Sequence, residues 1–151
     1  MTRIVCQMDI KMEEQQARKV LDDIVEGFEL DNIDRNSVEY ATLSGGLIPA
    51  IRRGRLLADI DNFTIDYKLK TPITFKDDLE PIEVLRFSIN DSKLRNVKNM
   101  TRAAEQGDPK PLIFGYAKAL TKGLDSERFL DDISHGDAAT AGAIGGLFLA
   151  F

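Results

Sequence analysis

The chain has 151 residues, 43% hydrophobic and 30% charged, and 20 basic against 25 acidic side chains give a formal net charge of −5. That size and mix predict one domain, or one domain with an appendage, holding enough apolar material for a real core. The acidic balance argues against general nucleic-acid binding, and the single cysteine (Cys6) and single histidine (His135) exclude an internal disulfide, a cysteine-based zinc site and a two-His metal site.

Arg3 to Met8 reads as a short strand, and the start MTRIVCQMDIKMEE lacks the apolar run of a signal peptide. Glu13 to Phe28 reads as an amphipathic helix, because Ala17, Val20, Leu21, Ile24, Val25 and Phe28 recur at three and four. Gly27 is its stop signal. Ser44-Gly45-Gly46 reads as a turn, followed by a helix from Leu47 to Leu57 with Pro49 in its first turn. Asp59 to Asn62 is turn-forming.

Phe63 to Lys70 carries the clearest strand pattern, with Phe63, Ile65, Tyr67 and Leu69 alternating with polar residues. Thr71-Pro72 interrupts it, Ile73 to Phe75 continues the extended path, Asp77-Asp78 marks a turn, and Ile82 to Phe87 returns as the second arm of a hairpin. Helices are then expected from Asn90 or Asp91 to about Gln106, from Pro111 to Thr121, from Asp125 or Ser126 over SERFLDDI, and after Gly136-Asp137. The fold class is therefore α+β: a hairpin with an adjoining N-terminal strand, helices on it, and a C-terminal half of mostly short helices. The expected division is an N-terminal α/β extension over 1–62 and a hairpin-plus-helical module over 63–151.

Chemistry-bearing patterns are sparse. Ser134, His135 and Asp137 are neighbours in sequence, which seldom supplies triad geometry, so a polar inter-helix turn is the reading. The acidic pairs Asp22-Asp23, Asp77-Asp78 and Asp131-Asp132 point apart along their elements and read as solvated surface. Cys6 sits among apolar residues and reads as buried and inert. Arg52, Arg53 and Arg55 form the one basic cluster; they complement a helix C-terminus or hold phosphate or an acidic partner. With Ser44-Gly45-Gly46 they make a small phosphate-using enzyme conceivable, but no nucleophile or base accompanies them. No catalytic residue, cofactor or metal is expected.

The final segment, Asp137 to Phe151, is uncharged after its first residue. Its fourteen-residue uncharged run, Ala138 to Phe151, is shorter than the roughly twenty residues of a bilayer span, so no membrane partner is expected. Ile144, Leu147, Phe148 and Phe151 share one helical side. Gly142, Gly145 and Gly146 each weaken the isolated helix by about 1 kcal/mol and permit close approach of another backbone. Either this side closes the protein's own core or it grips a foreign hydrophobic helix.

From Tyr67 onward the order of motifs carries a family likeness. Lys68-Leu69-Lys70-Thr71-Pro72-Ile73 opens it, and Ile82-Glu83-Val84-Leu85-Arg86-Phe87 follows a turn. A charged helix, an acidic linker and Ala119-Leu120-Thr121-Lys122-Gly123-Leu124-Asp125-Ser126 come next, then a short helix, Asp137 capping the last helix, and an apolar finish. Over roughly residues 66–151 the chain resembles the small tail assembly chaperones of contractile-tailed, Mu-like and P2-like bacteriophages. It departs from them in the hairpin turn, where Asp77-Asp78-Leu79-Glu80-Pro81 replaces the usual Asp-Gly, and in the first 60-odd residues, which have no counterpart in short members.

The resemblance implies a non-enzymatic protein of the host bacterial cytoplasm that binds the helical, hydrophobic tape-measure protein. It would keep that partner soluble until tail-tube subunits polymerise around it and displace the chaperone. Covering an apolar stripe removes it from water at about 25 cal/mol per Å², and helix-in-groove recognition suits the task. The expected partner contacts are Ile144, Leu147, Phe148 and Phe151, with Leu112, Phe114 and Tyr116 beside them. Tail-tube subunits and a second copy of the chain are further partners to consider. The alternative reading is a structural subunit of a phage tail or connector that self-assembles through its apolar C-terminus.

Overall fold

The computed structural model describes residues 4–30, 33–74, 81–88, 101–102, 105–106, 113, 117–119 and 133–149. Five antiparallel strands form one sheet in chain order: β1 (Ile4–Cys6), β2 (Leu56–Asp59), β3 (Thr64–Ile73), β4 (Ile82–Ser88) and β5 (Ala117–Ala119). Among the described residues three longer helices accompany it: α1 (Glu14–Gly27), α2 (Val38–Arg52) and α3 (His135–Leu149). The architecture is α+β, as the hydrophobic periods predict. No helix among the described residues is long and apolar enough to cross a membrane.

α1 follows its sequence closely. Gln16 reaches back to accept the Glu13 N–H at 3.4 Å, and Phe28 closes the last turn with a 2.9 Å bond to the Ile24 carbonyl. Its apolar stripe, Ala17, Leu21, Ile24 and Val25, is buried, and Val20 lies at the margin.

α2 departs from expectation. Ser37 caps it by accepting the Tyr40 N–H at 3.1 Å, and the helix runs unbroken through Ser44-Gly45-Gly46 to Arg52. A proline at position 49 removes one intrahelical donor and crowds the carbonyl four residues back. That carbonyl belongs to Gly45, which is exposed, so water can meet it. Gly46 is used differently: a Cβ there would come within 3.0 Å of the Ala143 Cβ, so the glycine allows α3 to cross closely. Gly54, at φ +70, then turns the chain, and a side chain there would strike the backbone of Asp9 and Ile10. Leu56 and Leu57, expected as the helix end, and Asp59, expected to open a turn, instead belong to β2.

β2, β3 and β4 make successive hairpins, with Leu56 opposite Tyr67 and Tyr67 opposite Leu85. The β2–β3 connection, residues 60–63, is held by Asp59, whose carboxylate accepts from Asn62 N–H at 3.2 Å and Asn62 Nδ2 at 2.7 Å. The expected domain division at residue 62 falls inside this turn. The two sides share one sheet and one hydrophobic core, in which Leu21, Ile51, Leu56, Ile65, Leu85 and Phe148 all take part.

β3 does not run evenly. Lys68 pairs with Val84, but Ile73 pairs with Ile82, so the ladder slips across Lys70-Thr71-Pro72. Proline has no N–H to give the ladder, and a bulge is where a strand tolerates it. The slip frees the N–H groups of Lys70 and Thr71, two exposed residues, for another acceptor.

Ala117–Ala119, expected within a helix over Pro111 to Thr121, is β5: Leu85 pairs with Ala119 and Phe87 with Ala117. The free edge of β4 supplies backbone partners that helical periodicity cannot reveal. Residues 101–102 and 105–106 are helical, within the helix expected to end near Gln106. Asp77-Asp78, Asp131-Asp132 and most of the short SERFLDDI helix lie outside the described residues.

Candidate functional site

The last helix begins at Ser134, whose Oγ accepts the Asp137 N–H at 3.2 Å while its carbonyl accepts the Ala138 N–H at 2.8 Å. Ser134 is thus the N-cap, and Asp137, expected in that role, stands three residues later. The Asp137 carboxylate is fully buried. It accepts from Tyr67 Oη at 2.6 Å, Lys70 N–H at 2.8 Å, Thr71 N–H at 3.0 Å and Ser134 Oγ at 2.8 Å. Both donors released by the β3 bulge therefore end on it. Burial alone would push this carboxyl up; the bonds from Tyr67, Lys70, Thr71 and Ser134 together hold it below the ordinary carboxylate range. Burial, with the bond to Asp137, pushes the Tyr67 phenol well up, so it keeps its proton and donates. His135 is exposed and makes none of these bonds, so this is a structural anchor; the segment expected as a polar inter-helix turn is the start of α3.

Downstream, the apolar side of α3 turns inward. Ile144 and Leu147 are 0% exposed and Phe148 is 1% exposed. The Phe148 ring packs edge-on against Phe28 at 5.8 Å and Phe87 at 6.4 Å, between the end of α1 and β4. Gly146 faces Leu43 of α2 so closely that a Cβ would lie 2.8 Å from Leu43 Cδ2. The expected partner contacts Ile144, Leu147 and Phe148 are thus corrected to core residues. The physical reason is that the glycines bring α2 against α3, and the protein's own aromatic rings fill the space a foreign helix would need. Phe151, Leu112, Phe114 and Tyr116 lie outside the described residues.

An open groove remains where α2 and α3 cross. It measures about 490 Å³; half-buried Ile33, Tyr40, Leu43 and Leu149 line it beside Gly146, and Asp34 and Glu39 stand at its rim. Its sequence signal is weak: Tyr40 and Leu43 lie within Ser37 to Leu43, a segment that reads ambiguously, and Ile33 lies in the acidic connection Leu30 to Asn36.

The basic cluster divides. Arg55 donates from Nη1 to the Lys68 and Leu69 carbonyls at 3.3 Å each, which fixes the β2–β3 edge. Arg53 is the exposed C-cap of α2, and Arg52 sits in its last turn. Cys6 is buried, and burial pushes its thiol up to about 11 despite a bond with the Ala58 backbone, so it is inert at neutral pH. Asp22 and Asp23 are exposed, as expected for solvated surface. Among the described residues no group of His, Cys, Asp or Glu is arranged to hold a metal ion. No protein-family model, curated protein or solved structure matches the chain.

Proposed function

We propose that the chain is a phage tail assembly chaperone, which holds a hydrophobic, helical tape-measure protein in solution until tail-tube subunits replace it. The observation that carries this reading is the open apolar groove at the α2–α3 crossing. Its lining side chains, Ile33, Tyr40, Leu43 and Leu149, are half-buried with the protein alone. A partner helix would take the remainder out of water. A groove of about 490 Å³ accepts only a few side chains. Modest contact of this kind suits a complex that must later be dismantled, since release rate is what interface contacts mainly set. The acidic rim, Asp34 and Glu39, fits an apolar stripe flanked by Lys or Arg. The ordered motifs from Tyr67 onward supply the family likeness. The host bacterial cytoplasm is where such a complex would form.

Co-expression with a tape-measure fragment tests the reading. An Ile33→Lys/Leu149→Lys variant should retain its helical circular dichroism and lose the ability to keep the fragment in the soluble fraction. Undiminished solubilisation by a folded double variant would remove the groove from consideration. Sizing across a concentration series, without the fragment, addresses the self-assembling tail subunit: a ring or polymer broken by the same double substitution would favour that reading instead.

A further inference from the structure

Tyr40 borders a second, separate pocket on the opposite flank of α2. This one measures about 440 Å³ and opens between α1, the 33–37 turn and α2. Arg18 from α1, Arg35 from the turn and Arg52 from α2 all line it, with the Tyr40 and Ser44 hydroxyls and Glu14. Three guanidinium groups from three segments of chain meet here, in a protein whose formal net charge is −5.

Their carboxylate partners are unevenly shared. Arg18 has Glu14 at 3.0 Å, and Arg35 has Asp22 at 3.5 Å and Glu26 at 3.6 Å. Arg52 has no ion-pair partner among the described residues, and it is exposed. Three carboxylates, Glu14, Asp22 and Glu26, thus serve Arg18 and Arg35 alone, and Arg52 leaves one planar fork of donors open to whatever enters. That fork matches the two oxygens of a carboxylate or phosphate. Ile48 and Pro49 give the pocket an apolar wall beside the charges.

We infer that this pocket binds an oxyanion, with Arg52 as the principal contact and Arg18 and Arg35 supporting it, and that the apolar carrier of the anion lies along Ile48 and Pro49. The site sits on the other flank of α2 from the groove, and its test needs no tape-measure protein, so it stands or falls separately from the proposed function. The serine-glycine and arginine motifs meet here as a binding surface, with Ser44 and Gly45 on a helix and no nucleophile required.

The full chain would be titrated with inorganic phosphate and, separately, with N-acetylglutamate, at ionic strength fixed with sodium chloride. Arginine side-chain resonances report the outcome. The expected result is saturable movement of the Arg52, Arg18 and Arg35 signals with at least one of the two anions. Arg52→Ala should weaken binding about tenfold, the scale of one hydrogen-bonded charged contact. Arg52→Lys should weaken it less, because the charge stays while the fork is lost. Arg53→Ala, at the same helix end but outside the pocket, should bind as the parent does. Tighter binding of phosphate assigns the group to a phosphorylated ligand; tighter binding of N-acetylglutamate assigns it to an acidic side chain. Shifts with both anions that never saturate, or binding that survives unchanged in both Arg52→Ala and Arg18→Ala, would overturn the inference.

Discussion

Two carboxylates meet at β3, Asp137 reaching it from α3 and Asp66 standing within it, and they are satisfied in opposite ways. Asp137 is fully buried and takes four uncharged donors, two of them backbone N–H groups from the bulge. Asp66 is 6% exposed and takes a two-point grip from Arg86 directly across the hairpin, at 2.8 and 2.9 Å. The Arg86 side chain, however, is 48% exposed. Remove Asp66 and its partner can turn to water. Remove Asp137 and the hydroxyl of Tyr67, a residue 0% exposed, stays buried with nothing to meet it, while Lys70 and Thr71 stand at the surface. The difference teaches that burial of the acid alone does not set its worth; the fate of its partners does.

The largest effect is expected at Asp137. Asp137→Ala should lower unfolding free energy by about 1–3 kcal/mol, the cost of leaving the buried Tyr67 hydroxyl unpaired. Urea denaturation measures this, and a loss under 1 kcal/mol would show that water replaces the carboxylate. A smaller, pH-dependent effect sharpens the same contrast. The folded Asp137 carboxyl is held below its ordinary value, so the unfolded chain takes up the proton first. Its contribution is therefore complete above the usual carboxylate pKa of about 4 and is lost as pH falls further. Asp137→Asn should accordingly show a shallower acid limb than the parent when stability is followed from neutral pH downward. The smallest effect belongs to the other side: Asp66→Ala should cost about 1 kcal/mol or less, as half-exposed ion pairs do. A loss matching that of Asp137→Ala would erase the distinction between the two.

Much of this frame is legible in the sequence where one face of an element meets the core. α1 and the β3–β4 hairpin show period and alternation cleanly, because the apolar Leu21, Ile24, Ile65 and Tyr67 are buried at helical or strand spacing with polar residues between them. α2 was misread at Ser44-Gly45-Gly46, since the close crossing with Ala143 that makes use of Gly46 is a long-range fact. β5 was missed for a like reason: its pairing is with β4, some thirty residues earlier. α3 is buried over the consecutive residues Thr140 to Gly145, so a single apolar side does not describe it, and the expected foreign destination of Ile144, Leu147 and Phe148 gives way to the core. Ile144, Leu147 and Phe148 give the same spacing whether the covering surface is their own sheet or a foreign helix. The Asp137 anchor was partly visible, because Ser134 and Asp137 stand at the spacing of a helix cap. Its second half, the slip of β3 at Thr71-Pro72, could not be joined to it without the fold.

The sheet is widest in its middle and ends, on either side, in a strand of three residues. Stubs of that length offer scant template for a neighbouring chain to add itself and propagate a fibril. Among the described residues, rims so abbreviated guard the sheet against cross-β stacking.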